Sequence, residues 1–159
     1  MANTRLVAVF VVAALLLVSP GASATSVEEL FQQFHMFGTW AADCNEPATP
    51  QNPRVSITMP SAGLVLEDHN LGADFAVNHY SILSAEQLSA TGLSVEVIFQ
   101  PGTTDEERQK LIFAVRNNTR RTLFNQTDSG TVRVKDGIAL ARGSKTPLLR
   151  KCDDGSVTH

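Results

Sequence analysis

The chain has few of the residues that usually carry chemistry in small proteins. Its 159 residues include one tryptophan, one tyrosine and two cysteines. It contains no Gly-x-Ser-x-Gly, no His-Glu-x-x-His and no phosphate-binding glycine loop, which are signatures of common hydrolases, zinc proteases and nucleotide-binding proteins. Internal repeats and low-complexity segments are also missing. We therefore expect a single domain that is not an enzyme and that holds no cofactor.

Long hydrophobic runs are missing beyond residue 18. The run "LVAVFVVAALLLV" (6–18) follows Arg5 and precedes Ser-Pro-Gly and the small residues 22–24. This arrangement is typical of a secretory signal peptide, and the run is shorter than the roughly 20 residues that span a bilayer. We predict that residues 1–24 are a signal peptide cleaved after Ala24. The protein would then be exported, to the periplasm or the extracellular space, as a soluble chain without a stable membrane span.

Basic residues are almost missing from the first part of the mature chain. Residues 25–107 contain 12 acidic residues and one basic residue, Arg54, whereas residues 108–159 contain 11 basic and four acidic residues. Such an asymmetry can mark an interaction surface, or the two halves can be neighbouring strands that neutralise each other. The mature chain as a whole is acidic, and aromatic residues that could stack on bases do not accompany the arginines. Nucleic acid is therefore not an expected partner.

The two cysteines allow one pairing, Cys44 with Cys152. Export places them in an oxidising compartment, where a disulfide bond is the expected state. The bond would close a loop of about 109 residues and contribute up to about 4–5 kcal/mol in the chain-entropy model. It would also bring the start of the folded region next to its end.

Residues 25–37 are predicted to form one N-terminal helix. Ser26 and Glu29 have the spacing of a capping box, and Gly38 is the expected end of the helix. Positions i, i+3, i+4 and i+7 form one apolar face, which consists of Val27, Leu30, Phe31 and Phe34.

Residues 38–159 are predicted to form a single β domain. Eight to ten short segments with alternating or β-branched residues are separated by turn-forming residues, and Asp136-Gly137 is the strongest hairpin signal. The segment 83–92 is compatible with a strand or a helical turn. An antiparallel meander protects its edges by closing into a barrel, in which the first and last strands are neighbours, as the cysteine pairing requires. We expect a small antiparallel β-barrel, with a two-sheet sandwich as the alternative.

The start of the first strand, Gly38-Thr39-Trp40, resembles the Gly-x-Trp opening of the lipocalins, members of the calycin superfamily. The resemblance implies an eight-stranded barrel in which Trp40, preceded by Gly38, plugs the closed end. It further implies an arginine from the last strand packed over the tryptophan, for which Arg142 and Arg150 are candidates.

A wider pattern adds an Asp-Cys after the tryptophan, a proline-rich loop, a late Lys-Asp-Gly and a terminal Thr-Pro to Cys-Asp region. It resembles a group of small exported bacterial proteins, and this resemblance implies no function. Periplasmic metalloprotease inhibitors also share a small barrel, the Gly-x-Trp start and one disulfide bond. Their disulfide bond joins nearby strands early in the chain, unlike Cys44–Cys152.

Arginines on adjacent predicted strands are candidate residues for binding an anion or a partner. These are Arg116, Arg120, Arg121, Arg133 and Arg142. Arg116, Arg120 and Arg133 would project to one face and could bind a carboxylate or phosphate through two hydrogen bonds. The alternative is an exposed sheet face that pairs with the acidic half.

Acidic and histidine side chains cluster around one predicted turn: Glu67, Asp68, His69, Asp74 and His79. Three or four of them would have to converge to hold a metal ion. Turn residues are usually polar because they are solvated, so no metal site is predicted.

The functional hypothesis is a non-enzymatic binding protein with a small ligand in or near the barrel mouth. The alternative is a protein-interaction module, such as an inhibitor of an exported enzyme, which would use the charge asymmetry and the loops 46–53 and 100–107.

Overall fold

The computed structural model describes residues 25–153, so the predicted signal peptide, 1–24, lies outside the described residues. The fold is mostly β, with one short helix, α1 (Val27–Gln33). No helix among the described residues is long and apolar enough to cross a membrane. The strands are β1 (Gly38–Ala41), β2 (Arg54–Ser61), β3 (Leu64–Asn70), β4 (Asn78–Gln87), β5 (Gly92–Phe99), β6 (Glu107–Arg116), β7 (Thr119–Thr127), β8 (Val132–Lys135), β9 (Ile138–Ala139), β10 (Ser144–Lys145) and β11 (Leu149–Lys151).

Eight antiparallel strands close into a barrel in the order β7, β11, β1, β2, β3, β4, β5, β6, with β6 pairing back to β7. The predicted barrel is confirmed, and the sandwich alternative is not observed. The first strand pairs with the last, with Trp40 opposite Lys151, and the disulfide bond Cys44–Cys152 is present beside this pairing. The ambiguous segment 83–92 is a strand as far as Gln87.

The strands β8, β9 and β10 are an extension of the barrel sheet rather than part of its wall. Near Arg120, one edge of β7 pairs with β11. Farther along β7 the same edge pairs with β8, where Asn125 lies opposite Val134. The predicted hairpin turn joins β8 to β9, and Asp136 and Gly137 have φ values of 52° and 75°. Positive φ at both central residues is what a type I′ hairpin turn requires. The extension therefore projects over one end of the barrel beside β7.

Helix α1 begins as predicted and ends earlier than predicted. The Ser26 side chain accepts a hydrogen bond from the Glu29 backbone, and the Glu29 carboxylate accepts one from the Ser26 backbone. The helix ends at Gln33 rather than near Gly38, because His35 adopts a left-handed conformation with φ of 53°. The backbone N–H of Met36 then donates to the carbonyl oxygen of Phe31, which is the closing bond of a Schellman motif. Here histidine takes the position that glycine usually occupies.

The apolar core fills the end of the barrel beside α1. Trp40 is completely buried, and its indole N–H donates to the carbonyl oxygen of Met36 at 2.8 Å. Inward-facing positions alternate along the strands as the pleat requires, and Leu93, Val95 and Val97 on β5 are all buried. The helix packs against β4. We refer to this end as the closed end and to the opposite end as the open end.

The arginine over Trp40 is not one of the two expected. The Arg120 guanidinium carbon lies 5.9 Å from the centre of the Trp40 ring, and the Lys151 ammonium lies 5.7 Å from it. Arg150 is exposed because it follows the inward-facing Leu149 in an extended strand. Arg142 is exposed after β9. The expectation of Arg142 or Arg150 was therefore wrong, and the arginine comes from β7.

Candidate functional site

A buried ion pair spans the inside of the barrel. The Arg120 guanidinium donates to both carboxylate oxygens of Glu67, at 3.0 and 2.6 Å. Both side chains are less than 5% exposed. Their strands, β7 and β3, are four strands apart in either direction around the barrel, so the ion pair connects opposite walls. The Arg120 guanidinium also lies 4.4 Å from the Phe113 ring centre.

The Glu67 carboxylate has a third partner. His69 lies two residues along the same strand and faces the same side, and its Nε2 is 2.6 Å from Glu67 Oε1. Burial by itself would raise the pKa of Glu67, but the Arg120 guanidinium and the His69 imidazole lower that pKa to about 2. The carboxylate is therefore ionised throughout the physiological range and keeps Arg120 fixed in place.

A cavity of about 200 Å³ adjoins Arg120 and is lined both by inward-facing barrel residues such as Val55 and Leu111 and by residues of the extension and the segment after it, such as Val134 and Thr146. Arg120 lines this cavity, whereas Trp40 and Phe113 do not. Its remaining lining residues are Pro53, Val55, His69, Tyr80, Leu111, Arg121, Thr122, Asn125, Val134, Thr146, Pro147 and Leu149. The wall is divided about evenly between apolar and polar side chains, and no carboxylate lines it.

Tyr80, the only tyrosine, forms one wall of the cavity. Its ring packs against His69, with ring centres 4.8 Å apart, and against Phe99 at 5.2 Å. Burial and the negative charge of Glu67 raise the pKa of Tyr80. Its hydroxyl therefore remains protonated and able to donate a hydrogen bond.

A chain of hydrogen bonds leads from the surface to the cavity and determines which atom of Asn125 faces inward. The Glu107 carboxylate can only accept, and it receives hydrogen bonds from Arg133 and from Gln109 Nε2. Gln109 therefore presents Oε1 to Asn125, whose Nδ2 donates to it at 2.9 Å. Because the amide nitrogen of Asn125 makes this hydrogen bond, its Oδ1 is the remaining polar atom. Oδ1 is buried and has no partner among the described residues.

Arg121 provides the second buried atom without a partner. Its Nε makes no hydrogen bond within residues 25–153, although it is buried. Arg121 and Asn125 both line the 200 Å³ cavity. Two residues of one cavity wall therefore each have a buried polar atom without a partner among residues 25–153, one a donor and the other an acceptor.

A larger groove of about 590 Å³ adjoins the cavity at the open end. The two share Tyr80, Asn125 and Val134 as lining residues, so they are in contact. One side of the groove comes from the β8–β10 extension, including Arg133, Leu140 and Arg142. The extension thus forms part of the entrance to the barrel.

The predicted arginine cluster is divided among three places. Arg116 is exposed and lies at the closed end, beside a surface pocket that includes His35 of the chain after α1. Arg120 is buried in the ion pair, and Arg121, Arg133 and Arg142 lie around the cavity and groove. The expected shared face of Arg116, Arg120 and Arg133 is not formed. In the β6–β7 pairing, Arg120 lies opposite the inward-facing Val115, whereas Arg116 is the next residue along and faces outward.

The acidic and histidine residues around β3 also separate onto two sides. Glu67 and His69 face the inside of the barrel, whereas Asp68 faces outward and pairs with His79 at 2.8 Å. No three His, Cys, Asp or Glu side chains among residues 25–153 are grouped so that they could hold a metal ion.

The sequence contained an overlooked signal for the inward polar groups. Val65-x-Glu67 on β3 and Gln109-x-Leu111-x-Phe113 on β6 place a polar residue in the inward register of an alternating strand. A polar residue in that register faces the core and needs a partner there. This pattern would have identified Glu67 and Gln109 as interior residues, although not their partners.

Comparisons of the chain with protein-family models, with curated proteins and with solved structures give no match.

Proposed function

We propose that the protein binds a small molecule, without chemical change, in the barrel cavity and the adjoining groove. The observation that carries this proposal is the unequal filling of the barrel. The closed end is packed with Trp40, Phe113 and other apolar side chains, whereas the open end retains a cavity. A barrel that served only as a scaffold would be expected to fill its interior with side chains throughout.

The dimensions fit a ligand that begins inside the barrel and extends into the entrance. Ligand pockets commonly have volumes of about 300–1,000 Å³. The cavity of about 200 Å³ alone is below this range, and the adjoining groove adds about 590 Å³. The Glu67–Arg120 ion pair would limit how deeply a ligand penetrates, because a ligand would have to separate buried charges to pass it.

A fragment screen by saturation-transfer NMR tests this proposal. Val134→Phe adds a ring at a position that lines both spaces, and Leu83→Phe is the matched control because Leu83 is 41% exposed and lines neither. We expect fragments that bind the wild-type protein and the Leu83→Phe variant and that lose binding in Val134→Phe. Equal binding by both variants, or no binding by any fragment, would overturn the proposal.

The protein-interaction alternative has weaker support. Three arginine ion pairs join the basic half of the chain to the acidic half: Arg108–Glu96, Arg120–Glu67 and Arg133–Glu107. The charges held in these ion pairs are therefore less available to bind a partner protein. The asymmetry in the sequence is therefore explained in part by contacts within the barrel.

Export to an oxidising compartment is part of the same proposal. The Cys44–Cys152 disulfide bond supports it, since stable disulfide bonds are rare in reducing compartments. Mass spectrometry of the protein recovered from the exported fraction should give a chain that begins at Thr25 and lacks two hydrogens. A full-length chain with free thiols, found only inside the cell, would contradict export.

A further inference from the structure

We propose that the cavity selects a small monocyclic anion that also carries a hydrogen-bond donor, with Arg121 binding the negative group and Asn125 the donor. This inference rests on the proposed function and specifies its ligand class. It follows from two residues, Arg121 and Asn125, that line the same cavity and that each have a buried polar atom without a partner among residues 25–153.

Arg121 and Asn125 each have a buried polar atom without a partner among the described residues. Buried polar groups in native proteins nearly always have hydrogen-bond partners, and an unpaired buried group is costly, more so when it is charged. Arg121 Nε is a donor on a permanent cation, and Asn125 Oδ1 is an acceptor. The complementary ligand therefore presents an acceptor to Arg121 and a donor to Asn125.

The cavity wall carries a net positive charge. Two arginines line the cavity, and Glu67 neutralises one of them, Arg120. Arg121 has no ion pair among the described residues, and no carboxylate is found in the cavity wall. The entrance adds Arg142 and Arg133, of which Arg133 is paired with Glu107. The remaining positive charge favours an anionic ligand.

The apolar walls and the volume of the cavity suit a single ring. Val55, Leu111 and Leu149 provide apolar surface, and the rings of Tyr80 and His69 provide aromatic surface. An apolar cavity of about 150 Å³ is large enough for one benzene ring. A cavity of about 200 Å³ therefore accommodates one ring with one or two small substituents.

The position of Asn125 results from a local irregularity in β7. The pairing with β6 shifts between Ile112 and Phe113, so that Leu123 is an extra residue in β7. Thr122 and Asn125 consequently both line the cavity although three positions separate them. Bulges of this kind often redirect side chains next to functional sites.

Isothermal titration with matched single-ring probes tests this inference. 4-Hydroxybenzoate has both groups, benzoate lacks the donor, and 4-hydroxybenzamide lacks the charge. We expect 4-hydroxybenzoate to bind the wild-type protein at least about tenfold more tightly than either analogue, as expected for loss of a charge-assisted or buried hydrogen bond.

Variants assign the two contacts. In Arg121→Gln the preference for 4-hydroxybenzoate over 4-hydroxybenzamide should be lost. The matched control Arg150→Gln, which changes an exposed arginine that lines neither space, should behave as the wild type. In Asn125→Leu the preference for 4-hydroxybenzoate over benzoate should be lost. Circular dichroism and the midpoint of urea unfolding show that each variant is folded.

The outcomes separate the two proposals. The proposed ligand class is overturned if the neutral and anionic probes bind equally well. It is also overturned if the Arg121→Gln variant keeps the preference for the anionic probe. The cavity remains a binding site in that case if Val134→Phe still abolishes fragment binding. Failure of all three probes at millimolar concentration also overturns the ligand class, and the fragment screen decides separately whether the cavity binds any small molecule.

Discussion

The ion pair between Glu67 and Arg120 allows a sharp test of how the barrel is stabilised. Glu67→Gln removes the negative charge and retains the size and hydrogen-bonding capacity of the side chain. Arg120 would then be a cation that is 2% exposed without a counter-charge. Breaking a buried pair in this way costs about 3–5 kcal/mol in free energy of unfolding.

Glu96→Gln is the matched control for this change. Glu96 pairs with Arg108 at 2.9 Å, a distance similar to those in the buried pair, but the two side chains are 45% and 57% exposed. Solvent screening reduces the contribution of such a surface pair to about 0–1 kcal/mol. The same chemical substitution should therefore have a large effect inside the barrel and a small effect outside.

Urea unfolding monitored by Trp40 fluorescence measures both changes. Trp40 is the only tryptophan, is completely buried and lies 5.9 Å from the Arg120 guanidinium. A shift of the midpoint at constant slope reports the change in stability. The double variant Glu67→Gln/Arg120→Met should recover part of the loss, because apolar replacement of a buried pair is tolerated better than removal of one partner. Equal effects of Glu67→Gln and Glu96→Gln, or strict additivity in the double variant, would refute the reasoning.

Three further predictions concern acid, the disulfide bond and the helix. The pKa of Glu67 is lowered to about 2, so the contribution of its carboxylate to stability is complete above pH 4.5 and is lost as the pH falls towards 2. Equilibrium unfolding should show a decrease in the free energy of unfolding of up to about 3 kcal/mol over this range. The Glu67→Gln variant should not show this decrease. Replacing Cys44 and Cys152, which are 108 positions apart, with serine should cost about 4–5 kcal/mol in the same assay, and a loss below 1 kcal/mol would contradict the role of the bond in barrel closure. Ser26→Ala removes the capping box and should cost about 1 kcal/mol, with no change in the fluorescence spectrum of the folded state.

The global fold could be predicted because its determinants are local or covalent. Alternation identifies strands, Asp136-Gly137 requires a specific turn, and the two cysteines bring the ends of the chain together. The closure of β1 on β11 follows from these signals. The observed pairing of Trp40 with Lys151 and the bond Cys44–Cys152 agree with that prediction.

The interior polar contacts could not be predicted in the same way, because they depend on the register between distant strands. Glu67 and Arg120 are 53 positions apart in the chain, and nothing in either local sequence indicates the other. Arg120 and Arg121 are adjacent, so a shift of one residue in the register of β7 would exchange their faces. Arg142 and Arg150 were expected over Trp40 because the lipocalin resemblance places that arginine on the last strand, and the local sequence of β7 does not indicate that Arg120 would take this position.

The end of α1 and the branching of the sheet also could not be predicted from the sequence. Glycine is the usual residue in a left-handed helix end, and Gly38 was therefore the expected end of the helix, whereas His35 takes the left-handed conformation. The division of the β7 edge between β11 and β8 depends on tertiary packing of the extension. That division opens the barrel wall at the candidate site.

Selective isotope labelling of the single tyrosine and the single tryptophan tests the central claim most directly. Tyr80 lines the cavity, whereas Trp40 lies in the closed end behind Arg120 and is hydrogen-bonded to Met36. Titration of a bound fragment or of 4-hydroxybenzoate should shift the Tyr80 ring signal and leave the Trp40 indole signal unchanged. A shift of Trp40 alone, or binding that moves neither signal, would contradict a ligand site at the open end of the barrel.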